Sequence, residues 1–245
     1  MVNKKLYEKY HSNSGKQYRI ISKKNFTYIN ILPILNSCLS KKVKSILDIG
    51  CGSGTISLYL ASKGYLVKGI DISRTAINTC NESANNMLLK NVKFEIVEFP
   101  KKIPNGKYDL IFFSEVLEHL PNDNLALKKI NKLLNTNGTL FLSTPSKNAP
   151  LYRLGVASKF DRDVGHLRRY DVEELTEKLV RCGFTIKNIY KKESVMRNFL
   201  FLNPHAGKLI RFIKFFLVDI ITAIDNILTY IFGESQIIII AQKVK

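Results

Sequence analysis

Two carboxylates and three glycines are the residues whose types and spacing point most directly to chemistry. The run Ile46-Leu47-Asp48-Ile49-Gly50-Cys51-Gly52-Ser53-Gly54 leaves an apolar segment and opens an amphipathic one, and Asp71 ends the next apolar segment. Glycines at such a place let the backbone turn tightly and come close to a ligand. A carboxylate ending the second strand suits hydrogen bonds from ribose hydroxyls. A dinucleotide site usually reads G-x-G-x-x-G and presents bare amides to a pyrophosphate. Here the third glycine comes one residue early, and Asp48 precedes the loop. That carboxylate would repel a pyrophosphate, whereas a positively charged nucleoside in a partly desolvated cleft would be attracted to it. A tight turn with no ligand is the plain alternative.

Groups able to move a proton are Glu115, His119, His166 and His11. Ser114 and Glu115 leave an apolar run at its C-terminal end, the edge at which open α/β sheets bind ligands. His119 is expected one helical turn later, on the same face as Glu115. It is either a base near neutral pH or a structural hydrogen-bond partner. His166 lies in a basic loop with Arg168 and Arg169. That loop reads either as the mouth for an anionic acceptor group or as an exposed segment paired with Asp161 and Asp163. Tyr10, His11 and Tyr18 form an N-terminal lid or simply pack on the core. The histidines are His11, His119, His166 and His205; no two share ligand spacing, so no metal is expected.

The elements that must position these groups follow from periodicity. Short apolar runs at 45–49, 66–70, 92–97, 108–113, 139–143, 184–192 and 236–241 read as strands. Between them lie helical patterns at 55–62, from a cap at Ser73 to about 88, at 125–134 and after a cap at Asp171. A further helix is expected over 25–39. Strands alternating with helices imply right-handed crossovers and a Rossmann-like, doubly wound, mostly parallel seven-stranded sheet with an antiparallel last strand. Residues 1–43 are expected as an N-terminal helical lid, 44–245 as the main domain, and 205–233 as an apolar helical insertion.

Asp48 to Gly54 resembles motif I of class I methyltransferases. Gly69-Ile70-Asp71-Ile72-Ser73 resembles their ribose-holding segment. Tyr108-Asp109-Leu110-Ile111 with Glu115-Val116-Leu117-Glu118-His119-Leu120, and Gly165-His166-Leu167-Arg168-Arg169-Tyr170 with Cys182-Gly183-Phe184, are similar to the branch containing the ubiquinone and menaquinone biosynthesis methyltransferases. The resemblance covers roughly residues 40–195. It implies S-adenosylmethionine as cofactor, held by Asp48, Gly50, Cys51, Gly52 and Gly54 at the methionine end and by Asp71 and Ile72 at the ribose. Glu98 and Phe99 then fall near the adenine, and Ser114 beside the reacting centre. It also implies methylation of oxygen or carbon in a small-molecule or lipid-linked acceptor.

The remaining composition narrows the partners. Lys and Arg number 38 against 20 Asp and Glu, a net charge of +18. This fits an anionic partner, but no run of five or six basic residues appears, and scattered solvated lysines give the same total. An RNA methyltransferase is therefore a second reading, opposed by the lack of an Asn/Asp-Pro-Pro-aromatic motif; a non-catalytic, membrane-associated cofactor binder is a third. The four cysteines form no C-x-x-C pair, which suits reduced thiols in a cytoplasm. The N-terminus lacks the apolar core of a signal peptide. Within 207–232, Lys208, Arg211, Lys214, Asp219, Thr222, Asp225, Asn226 and Thr229 share one helical face, and the other is almost wholly apolar. Such a helix packs on the core or a twin subunit, lies in a membrane interface on the inner face of the membrane, or lines a lipid-like substrate pocket.

Overall fold

The computed structural model describes residues 4–12, 15–22, 24–202 and 215–244. His205, Lys208, Arg211 and Lys214 lie outside the described residues, as does the first part of the insertion. Seven strands form one sheet: β1 (Ser45–Ile49), β2 (Leu66–Asp71), β3 (Val92–Ile96), β4 (Tyr108–Ser114), β5 (Leu134–Pro145), β6 (Phe184–Lys192) and β7 (Gln236–Lys243). Their order is β3-β2-β1-β4-β5-β7-β6. The first five are parallel, and β7 runs antiparallel to both β5 and β6. The expected Rossmann-like sheet is borne out.

The helices among the described residues are α1 (Lys4–His11), α2 (Ile31–Ser37), α3 (Thr55–Ser62), α4 (Arg74–Asn86), α5 (Asp123–Leu133), α6 (Pro150–Arg153), α7 (Ser158–Val164), α8 (Val172–Arg181), α9 (Val195–Leu202) and α10 (Phe215–Phe232). Alternation along the strands builds two cores. Leu47, Ile49, Ile111, Phe113, Leu140 and Leu142 face α5 and α8. Ile46, Leu110, Phe112, Phe141, Ile238 and Ile240 face α2 and α3. A central strand buried on both faces needs continuous apolar sequence, as β1 and β4 have. Each fully buried Leu, Ile or Phe contributes about 1.5–3 kcal/mol of transfer energy. Capping fixes the helix starts: the Ser73 hydroxyl accepts from Ala76 N–H at 3.1 Å, and the Asp171 carboxylate from Glu174 N–H at 2.8 Å.

Strand order reverses between β1 and β4, so the loops leaving their C-terminal ends diverge and open a crevice. This crevice holds the candidate site.

Two expectations are corrected here. The helix expected over 25–39 begins only at Ile31, because the Asn25 side chain accepts from Thr27 N–H at 3.0 Å and favours a turn. Glu115 and His119 do not share a helix face: Glu115 has φ +55°, and a 3₁₀ turn occupies Leu117–His119. A left-handed φ at Glu115 breaks the right-handed turn that would have stacked it against His119.

For the insertion, whose sequence leaves its packing open, α10 packs on the fold through the face that carries Val218, Thr222 and Asp225 and turns Ile220, Ile224, Ile227 and Ile231 outward. Asp225 is buried and accepts from the N–H groups of Ser194 (2.7 Å), Met196 (3.0 Å) and Arg197 (3.1 Å), capping α9 from another helix. Arg197 is fully buried, its guanidinium 4.2 Å above the Phe26 ring. It donates to the Phe26 carbonyl at 2.7 Å and to Glu193 at 2.9 Å. An ionised side chain so deep requires both partners, and this one ties 24–30, α9 and α10 together.

Candidate active site

A cavity of about 620 Å³ lies over the C-terminal ends of β1, β2 and β4. Asp48, Gly50, Cys51, Gly52, Asp71, Ile72, Phe99 and Ser114 all line it. The loop between β1 and α3 takes its shape from left-handed glycines. Gly50 has φ +73° and Gly52 φ +50°. A side chain at Gly50 would run into Val116, and one at Gly52 would meet His11 at 3.3 Å. The loop is cross-braced by Asp71, whose carboxylate accepts from Gly52 N–H at 3.0 Å and from Ser73 N–H at 2.9 Å. Gly54 does not line the cavity; it sits beneath the loop, against Cys80 and Phe94, and starts α3.

Asp48 is 3% exposed and accepts a hydrogen bond from Ser57 Oγ at 2.6 Å. Burial pushes its carboxyl up to about 7; the Ser57 hydroxyl opposes the rise and the charge of Asp71 adds to it. A carboxylate in such surroundings is costly unless a cation compensates it. The donor set therefore fits a cationic nucleoside. The glycine loop leaves room for it, the Asp48 charge faces the cavity, and a second carboxylate stands at the end of β2.

The other end of the cavity is assembled from distant segments. Glu115 Oε1 accepts from Ser143 Oγ at 2.7 Å and from Gln236 Nε2 at 3.0 Å. His119 Nδ1 lies 3.1 Å from the Gly165 carbonyl, which can only accept, so Nδ1 carries the proton and Nε2 a lone pair. His166 Nδ1 is held at 2.8 Å by the Asp161 carboxylate, which assigns the same tautomer. Both Nε2 atoms lie 3.9 Å from Oε1 of Glu118. Glu118 is fully buried, and this oxygen has no hydrogen-bond partner. Burial, then the charge of Glu115, raises the Glu118 carboxyl well above the usual carboxylate range. Burial lowers His119 to about 4, so its ring is neutral near pH 7. Glu118, His119 and His166 present ligand atoms within 4.8 Å of one another and could hold a metal ion, with Asp161 and the Gly165 carbonyl orienting the two rings from behind. Sequence spacing offered no such set, because the fold alone brings the 161–169 loop onto the end of β4.

The two arginines behave differently from a free anion mouth. Arg169 is buried and grips Asp161 through Nε (2.8 Å) and Nη2 (2.7 Å), while its guanidinium stacks 4.6 Å over Tyr152. Burial opposes ionisation of Asp161, yet His166 and Arg169 hold its carboxyl down to about 2. Arg168 lies off the cavity wall and pairs with Asp123 at 3.1 Å. Asp163 lines the cavity instead.

α1 spans both ends. The Tyr7 ring meets His119 edge-on at 5.6 Å, and His11 is buried beside Gly52. Tyr10 reaches the wall, whereas Tyr18 is exposed and does not. The fastening residues were not singled out by sequence. Gln17 Nε2 donates to the Ser53 carbonyl (3.0 Å) and Thr55 Oγ1 (2.8 Å). Glu8 caps α4, accepting from the N–H groups of Arg74 (2.8 Å) and Thr75 (3.1 Å) and from Ser73 Oγ (2.9 Å). Glu98 pairs with Lys101 at 2.5 Å outside the cavity wall. Glu193 and Asn198 join the wall from the α9 side.

Sheet order, crevice and glycine loop define a Rossmann-like nucleoside-binding α/β protein. A family described as a methyltransferase domain matches residues 40–201, and the chain belongs to that family. S-Adenosylmethionine is the cofactor this membership assigns to it, as the sequence resemblance implied. A ubiquinone biosynthesis O-methyltransferase from Glaesserella parasuis is 34% identical over 116 residues, 45% of this chain and 49% of that protein. The chain thus spans about half the length of the curated relatives it matches. A SAM-dependent methyltransferase from Methanosarcina mazei superposes with a TM-score of 0.60 at 24% identity, over 86% of this chain and 97% of that one. Phosphoethanolamine N-methyltransferase 2 of Haemonchus contortus, in complex with S-adenosyl-L-methionine, gives a TM-score of 0.67 at 16% identity, over 89% and 53%. At these identities the structural likeness is one of fold.

Proposed function

We propose that this chain transfers a methyl group from S-adenosylmethionine to an oxygen or carbon of a small-molecule or lipid-linked acceptor. The observation that carries the reading is the single cavity with Asp48, Asp71 and the glycine loop at one end and Glu118, His119 and His166 at the other. When bound, the cofactor supplies a methyl group already activated by its sulfonium. Asp48 holds the cationic methionine end, and Asp71 accepts hydrogen bonds from the ribose while bracing Gly52. Phe99 gives an apolar wall to the adenine, and Ile72 lies with Asp71 at the ribose. Within the expected lid of residues 1–43, α1 acts as the cover, with Glu8 and Gln17 as its fastenings, whereas α2 belongs to the core. Tyr7 and His11 then exclude water from both ends of the cavity at once, which protects a reaction that depends mainly on positioning.

At the acceptor end, neutral His119 offers Nε2 to an acceptor proton, and His166 with Glu118 lies within reach of the same point. Glu115 lines the same cavity with Oε1 held by Ser143 and Gln236, so it positions the wall. The test is methyl transfer from isotopically labelled S-adenosylmethionine to fractions of cell extract, with the product identified by mass spectrometry. A labelled small or lipid-linked product is expected. Cofactor binding with no transfer to any fraction would overturn the catalytic reading, and labelled RNA alone would overturn the acceptor class.

A further inference from the structure

α10 is amphipathic, yet it is mounted with its apolar side outward. Thr222 and Asp225 are turned into the fold, and Asp219 is neutralised by Lys24 at 2.6 Å. The outward arc carries Leu217, Ile220, Ile224, Ile227, Tyr230 and Ile231, with Ile227 62%, Ile231 65% and Tyr230 93% exposed. Phe199 of α9, which packs against α10, adds to the same region at 52% exposed. A contiguous apolar stripe of this kind marks a surface that is covered in use.

Charge selects the occupant. Residues 187–214, from the second half of β6 to the start of α10, hold Lys187, Lys191, Lys192, Lys208, Arg211 and Lys214 besides the buried Arg197, against one acidic residue, Glu193. Glu193 is spent internally on Arg197. The two acids of α10 are likewise neutralised or buried. An apolar helical face beside sequence of strong positive charge matches the acyl and headgroup layers of an anionic bilayer. A second copy of this chain would bring the same positive charge against itself. Among the described residues no helix is long and apolar enough to cross a membrane, so α10 would lie along the surface.

We propose that the outward face of α10 docks the protein on an anionic lipid surface. Asp225 caps α9, and α9 together with Glu193 and Asn198 borders the cavity, so docking sets the acceptor end of the cavity beside the lipid. The docking itself does not depend on which acceptor is methylated.

Flotation of the full chain with phosphatidylcholine vesicles, with and without phosphatidylglycerol, tests this. The wild type floats with the anionic vesicles, loses at least about tenfold in partition without phosphatidylglycerol, and is released by salt. The double variant Ile227→Asp, Ile231→Asp loses at least about tenfold in partition on anionic vesicles while its melting temperature and S-adenosylmethionine affinity stay at wild-type values. Equal flotation of variant and wild type, or no flotation of either, overturns the proposal. So does a lipid-free dimer in sedimentation that the same double variant dissolves, because the face would then belong to a second copy.

Discussion

The two ends of the cavity are built in opposite ways. The cofactor end is local: Asp48, the glycine loop and Asp71 fall within one β-α-β unit and are braced by backbone N–H groups. The acceptor end is a convergence: the exit of β4, the 161–169 loop, α1 and β7 all contribute side chains. A local site is specified by a few residues and tolerates change elsewhere. A convergent site depends on every segment that reaches it, and it is where one fold can accept different acceptors.

That contrast predicts separable losses. The largest falls on turnover: His119→Ala should lower kcat by about 10²–10⁴-fold if Nε2 takes a proton, while the calorimetric cofactor Kd moves by less than about threefold. Loss of binding together with turnover would erase the distinction between the ends. Next, Asp71→Ala should weaken S-adenosylmethionine by about 10–100-fold, since it removes a charged acceptor from two backbone donors and from the ligand. Unchanged affinity would break the cofactor half of the comparison.

Asp48 sharpens the same half through pH. Burial holds its carboxyl at about 7 in the fold, against an ordinary 3.8. The folded value is raised, so ionising it costs stability, and that cost builds as pH rises from about 4 to 7 and is complete above. Asp48→Asn should therefore raise the melting temperature of the ligand-free protein at pH 8, by on the order of 2–4 kcal/mol of stability, with the gain shrinking towards pH 4. A cationic ligand favours the ionised form, so affinity should climb by up to about tenfold per pH unit below 7 and level above it. The Asn variant should show a flat, weaker profile; an identical pH profile in both proteins would remove Asp48 from the site.

The smallest effect concerns the lid. Backbone and hydroxyl donors at the start of α4 hold the Glu8 carboxyl down to about 2 against slight burial. Its stabilisation is present above the usual carboxylate range and is lost as pH falls towards 2. Glu8→Gln should weaken the cofactor only by about two- to fivefold, with faster dissociation in stopped flow; no change in either rate would leave α1 as mere packing.

Legibility in the sequence follows the same division. The alternating strands and helices, the Ser73 and Asp171 caps and the loop from Asp48 to Gly54 were readable because each rests on neighbours in the chain. Glu118 was not, because a carboxylate inside the apolar turn Val116-Leu117-Glu118 declares no role until the 161–169 loop arrives beside it. Arg168 and Arg169 read either as a basic mouth or as a segment paired with Asp161 and Asp163; in three dimensions Arg169 does pair with Asp161, whereas the partner of Arg168 is the distant Asp123. α10 stayed open for a related reason: amphipathicity shows that a helix has two faces, and only the buried partners of Asp225 and Arg197 decide which face turns inward.

The central claim is that Asp48 and Asp71 frame a loop built for a cationic nucleoside. Calorimetric titration of the purified chain with S-adenosylmethionine, and in parallel with a nicotinamide dinucleotide, tests it directly. Saturable one-site binding of S-adenosylmethionine with no heat from the dinucleotide is the predicted result. Binding of the dinucleotide by a protein indifferent to S-adenosylmethionine would contradict it.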